Sequence, residues 1–140
     1  MLVIFDENLP PRIVHILKDL CEDASVSIES TRSLELNGEK DIPLFGKLHE
    51  RAGDDKLVLI TGDTEINRNS PAIQALKEAG VIAFICPRKL SQKGLVSKIT
   101  YILNMWEALC AVAKSSKIKK VYRLPPCPNV TASQITDMTR

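Results

Sequence analysis

The sequence predicts a single α/β domain built on a mostly parallel sheet, and two observations carry this prediction. Short unbroken apolar runs alternate along the chain with segments in which apolar residues recur every three or four positions. An unbroken run is typical of a strand covered on both faces, as the strands of parallel sheets are. Because strands and helices alternate, we expect right-handed crossovers that place the helices against the sheet.

The first strand and helix are predicted at the N-terminus. Residues 2–5, LVIF, form the first apolar run. Pro10 and Pro11 fit the first turn of the helix that follows, where a missing N–H costs nothing. Residues 24–28, ASVSI, are β-branched and short, which predicts a second strand. The polar segment after them predicts a loop across the top of the sheet.

The rest of the chain repeats the pattern. Asp41 is expected to be the N-cap of a second helix, with Pro43 in its first turn. Residues 56–63, KLVLITGD, predict a third strand that ends on an acidic residue, as the first does. The predicted order is completed by a helix over 70–79, a strand over 81–85, a long helix from residue 91 and a short edge strand over 119–124.

Composition limits the functional classes. The chain has 140 residues, of which 44% are hydrophobic and 26% charged, and this predicts one domain over 1–124 with a disordered tail over 125–140. The net charge of +2 gives no argument from bulk charge for binding nucleic acid. The sequence has no CxxC pair, so no zinc or redox motif is predicted, and charged residues interrupt every apolar run. We therefore expect reduced thiols, a cytoplasmic protein and no membrane partner.

Acidic residues at strand ends predict a metal site. In open parallel sheets ligands bind at the carboxyl ends of the strands, and Asp6 and Asp63 lie at two such ends. With Asp41 at a helix start near the same edge, three carboxylates could share one crevice. Oxygen ligands without His or Cys select Mg²⁺ or Mn²⁺, which suit phosphodiester hydrolysis. The simpler interpretation of each aspartate alone is a cap or a turn, and for Asp41 capping is the stronger one.

Further residues are candidates for accessory roles. Asn8 and Thr61 could orient a carboxylate or a metal-bound water, although turn formation explains both equally well. Glu65 is a candidate ligand of a second ion. The candidates for holding RNA phosphates are Arg68, Arg88 and Lys89, within a wider basic rim that includes Lys93, Lys117, Lys119, Lys120 and Arg123.

Four stretches together resemble the PIN-like proteins related to VapC-type toxins. They are FDENLPPRIVHIL, KDIPLF, VLITGDTEINRNSPAIQALKEAGVIAFICP and LNMWEAL…KKVYRLPP. The resemblance implies a three-layer α/β/α sandwich with a central, mostly parallel sheet of four to five strands. It also implies a Mg²⁺- or Mn²⁺-dependent ribonuclease that acts on RNA, a toxin role with a cognate antitoxin as partner, and a homodimer.

By position, Asp6, Asp41 and Asp63 match the acidic residues of this family, which are its catalytic and metal-binding residues. Asn8, Thr61 and Arg68 match accompanying polar positions. The fourth acidic residue typical of the family has no secure counterpart in this sequence, and Glu65 is the nearest candidate.

Three other classes are alternatives to the nuclease. A non-catalytic PIN-like binding module would keep the fold and only bind a partner. A receiver domain also has an acidic pair after its first strand, and Lys89 could serve as its late lysine, but TGDTEINRN lacks the form of a phosphoacceptor loop. A haloacid-dehalogenase phosphatase would require an aspartate where this sequence has Asn8.

Overall fold

The protein folds around a six-stranded sheet in the order β2-β1-β3-β4-β5-β6. The computed structural model describes residues 1–36, 38, 40–68, 70–116, 120–126 and 135–138, with the backbone alone described at 41, 67, 68 and 70. The strands are β1 (Leu2–Phe5), β2 (Ser27–Ser30), β3 (Leu57–Thr61), β4 (Val81–Ile85), β5 (Val121–Arg123) and β6 (Thr136–Asp137). The first five pair in parallel, and β6 is antiparallel to β5.

Helices cover both faces of the sheet. They are α1 (Arg12–Leu20), α2 (Asp41–Ala52), α3 (Ser70–Glu78) and α4 (Leu95–Ser115), with short 3-10 helices over Thr64–Arg68 and Arg88–Gln92. Val3 and Phe5 belong to one core cluster with residues of α1 and α4, whereas Leu2 and Ile4 belong to a second cluster with residues of α2 and α3. Alternate residues of each strand thus bury opposite faces. This confirms the predicted α/β/α class with a mostly parallel sheet.

Predicted and observed boundaries differ at several elements, and α4 begins at Leu95 rather than at residue 91. The second strand begins at Ser27 rather than residue 24, because the Asp23 carboxylate accepts a hydrogen bond from the Ser25 N–H at 2.9 Å and holds a turn there. Asp41 is the first helical residue of α2 rather than its N-cap. Lys40 holds the cap position, and its carbonyl already accepts from the Leu44 N–H at 2.9 Å.

Part of the segment predicted as a disordered tail belongs to the sheet. β6 pairs with β5, so β5 is not the edge strand, and Ile135 beside β6 is buried in the core. The disorder prediction is therefore wrong for residues 135–138, while 127–134 and 139–140 lie outside the described residues. The domain boundary at residue 124 stays a prediction.

Helix α4 combines length with apolar character. Its 21 residues make it, within the described part of the chain, one helix long and apolar enough by these criteria to cross a membrane. Lys98, Glu107 and Lys114 interrupt its apolar residues, as the sequence predicts. Tyr101, Met105 and Leu109 of this helix pack into the core against the sheet, and core helices of soluble proteins meet the same criteria.

Candidate functional site

Asp6 and Asp63 lie at the same edge of the sheet because their strands are neighbours. β1 and β3 pair in parallel with Phe5 opposite Ile60, and the Asp6 N–H donates to the Ile60 carbonyl at 3.1 Å. Asp6 follows β1 directly, and Asp63 comes two residues after β3 ends. The carboxyl ends of these strands thus bring the two aspartates to one edge, as the strand pattern predicts.

The Asp6 carboxylate is surrounded by hydrogen-bond donors. Its Oδ1 accepts from the backbone N–H groups of Asn8 at 3.0 Å and Gly62 at 3.3 Å. Its Oδ2 accepts from the Asn8 Nδ2 at 3.3 Å and from the Thr61 hydroxyl. Because Thr61 Oγ1 itself accepts from the Asp63 N–H at 3.0 Å, its proton is left to point at Asp6. Four donors therefore fix the orientation of this carboxylate.

Burial and hydrogen bonding act on Asp6 in opposite directions. The residue is only 8% exposed, and burial raises the pKa of its carboxyl above the ordinary value. The hydrogen bonds from Thr61, Gly62 and Asn8 favour the carboxylate and lower that pKa, but the burial effect is larger. The ion pairs found among the described residues include none to Asp6. A cation at this position would favour the ionised form.

Asp63 shares a small cleft with Asp6. The cleft has a volume of about 80 Å³ and is lined by Asp6, Glu7, Asn8, Thr31, Leu36, Leu44 and Asp63. Asp63 Oδ1 accepts from the Glu65 N–H at 2.9 Å, which orients the Asp63 side chain. Two carboxylates from neighbouring strands therefore line one cleft.

The third predicted carboxylate is placed by its backbone only. Asp41 opens α2, and Leu44 in the first turn of that helix lines the cleft, so the N-terminus of α2 lies beside it. The Asp41 side chain lies outside the described residues, and its convergence with Asp6 and Asp63 stays a prediction. No group of three metal-ligating side chains occurs among the residues whose side chains are described.

The donor set fits a hard divalent cation. The cleft presents carboxylate, amide and hydroxyl oxygens, and neither histidine nor cysteine lines it. Mg²⁺ is commonly held by only one or two carboxylates, with water and substrate phosphate completing its coordination. The types of residue that line the cleft therefore fit such an ion.

The accessory candidates divide between two clefts. Asn8 and Thr61 lie against Asp6, as described above. Glu65 has an exposed side chain that lines a neighbouring cleft of about 490 Å³ together with Arg88 and Lys89. Of Arg68 only the backbone is described, in the 3-10 helix after β3. The structure thus brings Asn8 and Thr61 to the aspartates and places Arg88 and Lys89 in the adjoining cleft.

Several contributors were missed at the sequence level. Gly62 donates its N–H to Asp6, and a Cβ at this position would lie 3.0 Å from the Asn8 Cβ, so a side chain there would require Asn8 to shift by a few tenths of an ångström. The glycine between Thr61 and Asp63 was the available signal. Glu7, an exposed residue next to Asp6, lines the cleft and accepts from the Gly38 N–H at 2.9 Å. That contact spans 31 residues, which no local pattern indicates.

Comparison with known proteins assigns the family. Neither the curated proteins nor the solved structures contain a significant match to this chain. The family described as PIN like domain matches residues 1–88, a segment that contains Asp6, Asp41 and Asp63 and covers more than half of the chain. With this match and the α/β/α architecture, the chain belongs to the PIN-like domain family.

Proposed function

We propose that this protein is a metal-dependent ribonuclease that hydrolyses RNA phosphodiester bonds at the cleft of Asp6 and Asp63. Membership of the PIN-like family is consistent with a nuclease-type domain. The observation that carries the proposal is the buried Asp6 carboxylate, held by four donors and facing the same cleft as Asp63. A buried, oriented carboxylate without an ion-pair partner among the described residues is the environment that a divalent cation would complete.

The roles of the chain's own residues follow from their contacts. Asp6 and Asp63, with Asp41 as the proposed third ligand, would hold Mg²⁺ or Mn²⁺. The bound ion would supply a lowered pKa for the attacking water and would neutralise charge on the scissile phosphate. Thr61 donates to Oδ2 of Asp6 and the Asn8 N–H donates to Oδ1, which keeps the ligand geometry in place before substrate arrives. No nucleophilic side chain is required.

The direct test is cleavage of single-stranded RNA in the presence of Mn²⁺. Asp6→Asn and Asp63→Asn should each lower the cleavage rate by at least about a hundredfold, because each removes a proposed metal ligand. The matched control is Asp54→Asn, since Asp54 is exposed in the turn before β3, at the opposite edge of the sheet. Wild-type activity in the Asp6 variant would contradict the proposal.

Asp41 can be tested separately from the other two. If it is a metal ligand, Asp41→Asn should weaken Mn²⁺ binding measured by calorimetry and lower the cleavage rate. If Asp41 only favours the N-terminus of α2, the variant should lose about 0.5 kcal/mol of unfolding free energy and keep both metal affinity and rate.

A non-catalytic binding module is the second candidate. The observation that favours it is the saturation of Asp6, because its two oxygens already accept four hydrogen bonds and a metal would have to displace or share one. Such a module would bind RNA without cleaving it in Mg²⁺ or Mn²⁺. It would also show no Mn²⁺ affinity that Asp6→Asn removes.

We further propose a cytoplasmic toxin role with a cognate antitoxin and a homodimeric assembly, and what supports it is the resemblance of the four sequence stretches to PIN-like proteins related to VapC-type toxins. Expression of the wild-type chain should then arrest bacterial growth, expression of Asp6→Asn should not, and co-expression of a small neighbouring gene product should restore growth. Light scattering of the purified chain tests the dimer. Growth that is unaffected by an active nuclease would remove the toxin role and leave the ribonuclease proposal standing.

A further inference from the structure

A second concave region is separate from the cleft of Asp6 and Asp63. It consists of the cleft of about 490 Å³ at the ends of β4 and β5 and of a cleft of about 460 Å³ beside the N-terminus of α4. The two clefts share the lining residues Pro87, Lys89 and Pro126, so they adjoin. Neither shares a described lining residue with the cleft of the two aspartates. The region is therefore a candidate site of its own.

The cleft at the ends of β4 and β5 is positively charged, and we call it the cationic cleft. β5 ends at Arg123, which pairs with Ile85 at the end of β4. Arg88 and Lys89 follow β4 and open the second 3-10 helix. All three cations line this cleft and are exposed, and none makes an ion pair with another described residue. With Glu65 as the one acid among its described lining residues, the cleft favours an anion.

Backbone contacts fix the segments that carry these cations. The Leu124 N–H donates to the Ile85 carbonyl at 2.9 Å, which holds Arg123 beside the end of β4. The Leu90 N–H donates to the Pro87 carbonyl at 3.0 Å, and the Leu90 side chain is buried in the core. The 3-10 helix is thus anchored at its centre. The positions of the cationic segments are set by the fold before a ligand binds, which reduces the entropic cost of binding.

The adjoining cleft beside α4 is predominantly apolar, and we call it the apolar cleft. Leu90, Val96 and Tyr101 line it between the two prolines that both clefts share. The Tyr101 hydroxyl already donates to the Pro125 carbonyl. Val96 is 76% exposed, so part of this apolar surface is in contact with water. A ligand with an apolar body would remove that surface from water, which favours binding.

We propose that this region binds a small amphipathic anion, a molecule with a carboxylate or phosphate head group on an aliphatic body. The head group binds Arg88 and Arg123 in the cationic cleft, and the body lies in the apolar cleft. Lys89 lines both clefts and therefore lies where the head group joins the body. Inorganic phosphate would leave the apolar cleft in water, and an uncharged hydrocarbon would leave the cations without a partner. Both volumes fall within the range of about 300–1,000 Å³ that is typical of small-molecule sites.

The length of the aliphatic body gives the first test. Calorimetry of the full chain with hexanoate, octanoate and decanoate, below the concentrations at which they form micelles, should show an affinity that rises with length. We expect a rise of about three- to fourfold per added CH₂, the gain from burying one such group, until the apolar cleft is filled. Equal affinities along the series would overturn the proposal, because the region would then bind charge alone.

Exchange of the head group tests the cationic cleft. Decyltrimethylammonium has the same aliphatic body as decyl phosphate and the opposite charge, and it should bind at least about tenfold more weakly. Decanoate and decyl phosphate distinguish a carboxylate from a phosphate head group, and tight binding of either supports the proposal. Equal affinities for the cationic and the anionic probes would overturn it.

Two variants separate the head group from the body. Lys89→Gln should weaken the binding of hexanoate and decanoate alike, whereas Val96→Asn should weaken decanoate more than hexanoate. The matched controls are Arg51→Gln, in the exposed last turn of α2, and Leu20→Asn, since Leu20 is 63% exposed at the end of α1. Controls that weaken binding as much as the two variants do would overturn the assignment of the ligand to this region.

Binding is measured without cleavage, so its failure is distinguishable from failure of the proposed ribonuclease. Asp6→Asn should bind decanoate as the wild type does, and loss of binding in this variant would overturn a separate site. If Lys89→Gln weakens the binding of an oligouridylate while decanoate has no measurable affinity, the cations belong to the nuclease substrate site and the proposal is overturned.

An anionic membrane is the other partner that exposed apolar and basic side chains can bind. Leu95 and Val96 are exposed in the first turn of α4, close to Lys93. Sedimentation of the full chain with phosphatidylglycerol vesicles, in the absence of any affinity for free decanoate, would overturn the proposal, because these side chains would then insert into lipid. Binding of free decanoate that Val96→Asn weakens would support it.

Discussion

Charged groups have different partners at the two edges of the sheet, the amino edge where the parallel strands begin and the carboxyl edge where they end. At the amino edge, Lys56 just before β3 donates to the carbonyls of Ala113, Lys114 and Ser116 at 2.9, 2.9 and 3.0 Å, which closes the C-terminus of α4. At the carboxyl edge, Asp6 receives only neutral donors, and Arg32 makes no ion pair within the described part of the chain. Lys56 thus stabilises the fold at the first edge, whereas at the second edge Asp6 and Arg32 have no partner of opposite charge among the described residues.

The largest effect on unfolding free energy is expected from removing the buried hydroxyl of Thr61 at the carboxyl edge. Thr61→Val keeps the shape of this fully buried residue but removes the donor to Asp6 and the acceptor of the Asp63 N–H. We expect a loss of about 3 kcal/mol in the free energy of unfolding, measured by urea denaturation. Thr61→Ser retains the hydroxyl and should lose only about 1 kcal/mol. Equal losses in the two variants would mean that packing, and not this hydrogen bond, is what Thr61 contributes.

Substitution at the amino edge is expected to lower stability and to leave the cleavage rate unchanged. Lys56→Met removes the cation from three carbonyls at the end of a 21-residue helix and should lower the unfolding free energy by about 2 kcal/mol. The cleavage rate at a temperature where both proteins are folded should not change. Lys18→Met breaks an exposed pair with Glu29 at 3.4 Å and should change stability by less than about 0.5 kcal/mol. A reduced cleavage rate in the Lys56 variant would contradict the division between the edges.

Sequence patterns predict the elements whose residues follow a regular pattern along the chain. Strands buried on both faces must be apolar throughout, so LVIF and the run before Thr61 identify β1 and β3, and parallel pairing then places Asp6 beside Asp63. The same reasoning fails for β6. Its two residues, Thr136 and Asp137, carry no apolar pattern, and the strand exists because β5 offers it an open edge.

The missed parts of the site depend on contacts between distant segments. Arg32 lies in the polar segment read as a plain loop, and it reaches the candidate site only because β2 pairs with β1. Glu7 meets Gly38 through a loop whose path the sequence does not specify. Asp41 was interpretable as a cap or as a ligand, and its backbone position removes the first interpretation without deciding the second.

Two glycines offer a smaller test of how closely the carboxyl edge is packed. Gly62→Ala would place a Cβ 3.0 Å from the Asn8 Cβ and 3.3 Å from the Asn8 carbonyl oxygen, so the loop that donates to Asp6 must shift. We expect a loss of about 1.5 kcal/mol in unfolding free energy and about a tenfold slower cleavage. Gly46→Ala within α2 meets no atom within 4 Å and should gain about 0.5 kcal/mol with unchanged cleavage. Wild-type stability and cleavage in the Gly62 variant would show that the loop adapts without cost.

The smallest expected change in unfolding free energy is a gain, because at Asp6 the charge that serves the proposed function lowers stability. Burial raises the pKa of this carboxyl in the folded protein, so the ionised form destabilises the fold at neutral pH. Asp6→Asn removes that charge and should raise the unfolding free energy by about 1 kcal/mol at pH 7 in metal-free buffer while abolishing cleavage.

The pH dependence of that gain identifies its cause. The cost of the Asp6 charge is absent below the unfolded-state pKa, near the ordinary value of 3.8, and complete above the raised folded-state pKa. The stability difference between Asp6→Asn and wild type should therefore grow as the pH rises through this window and stay constant above it. Thermal unfolding between pH 3.5 and pH 8 measures it. A difference that is independent of pH would show that the amide stabilises the loop for another reason. A loss of stability in Asp6→Asn at pH 7 would mean that the four hydrogen bonds to the carboxylate outweigh the cost of burying it. The carboxyl edge, like the amino edge, would then stabilise its charged group within the fold.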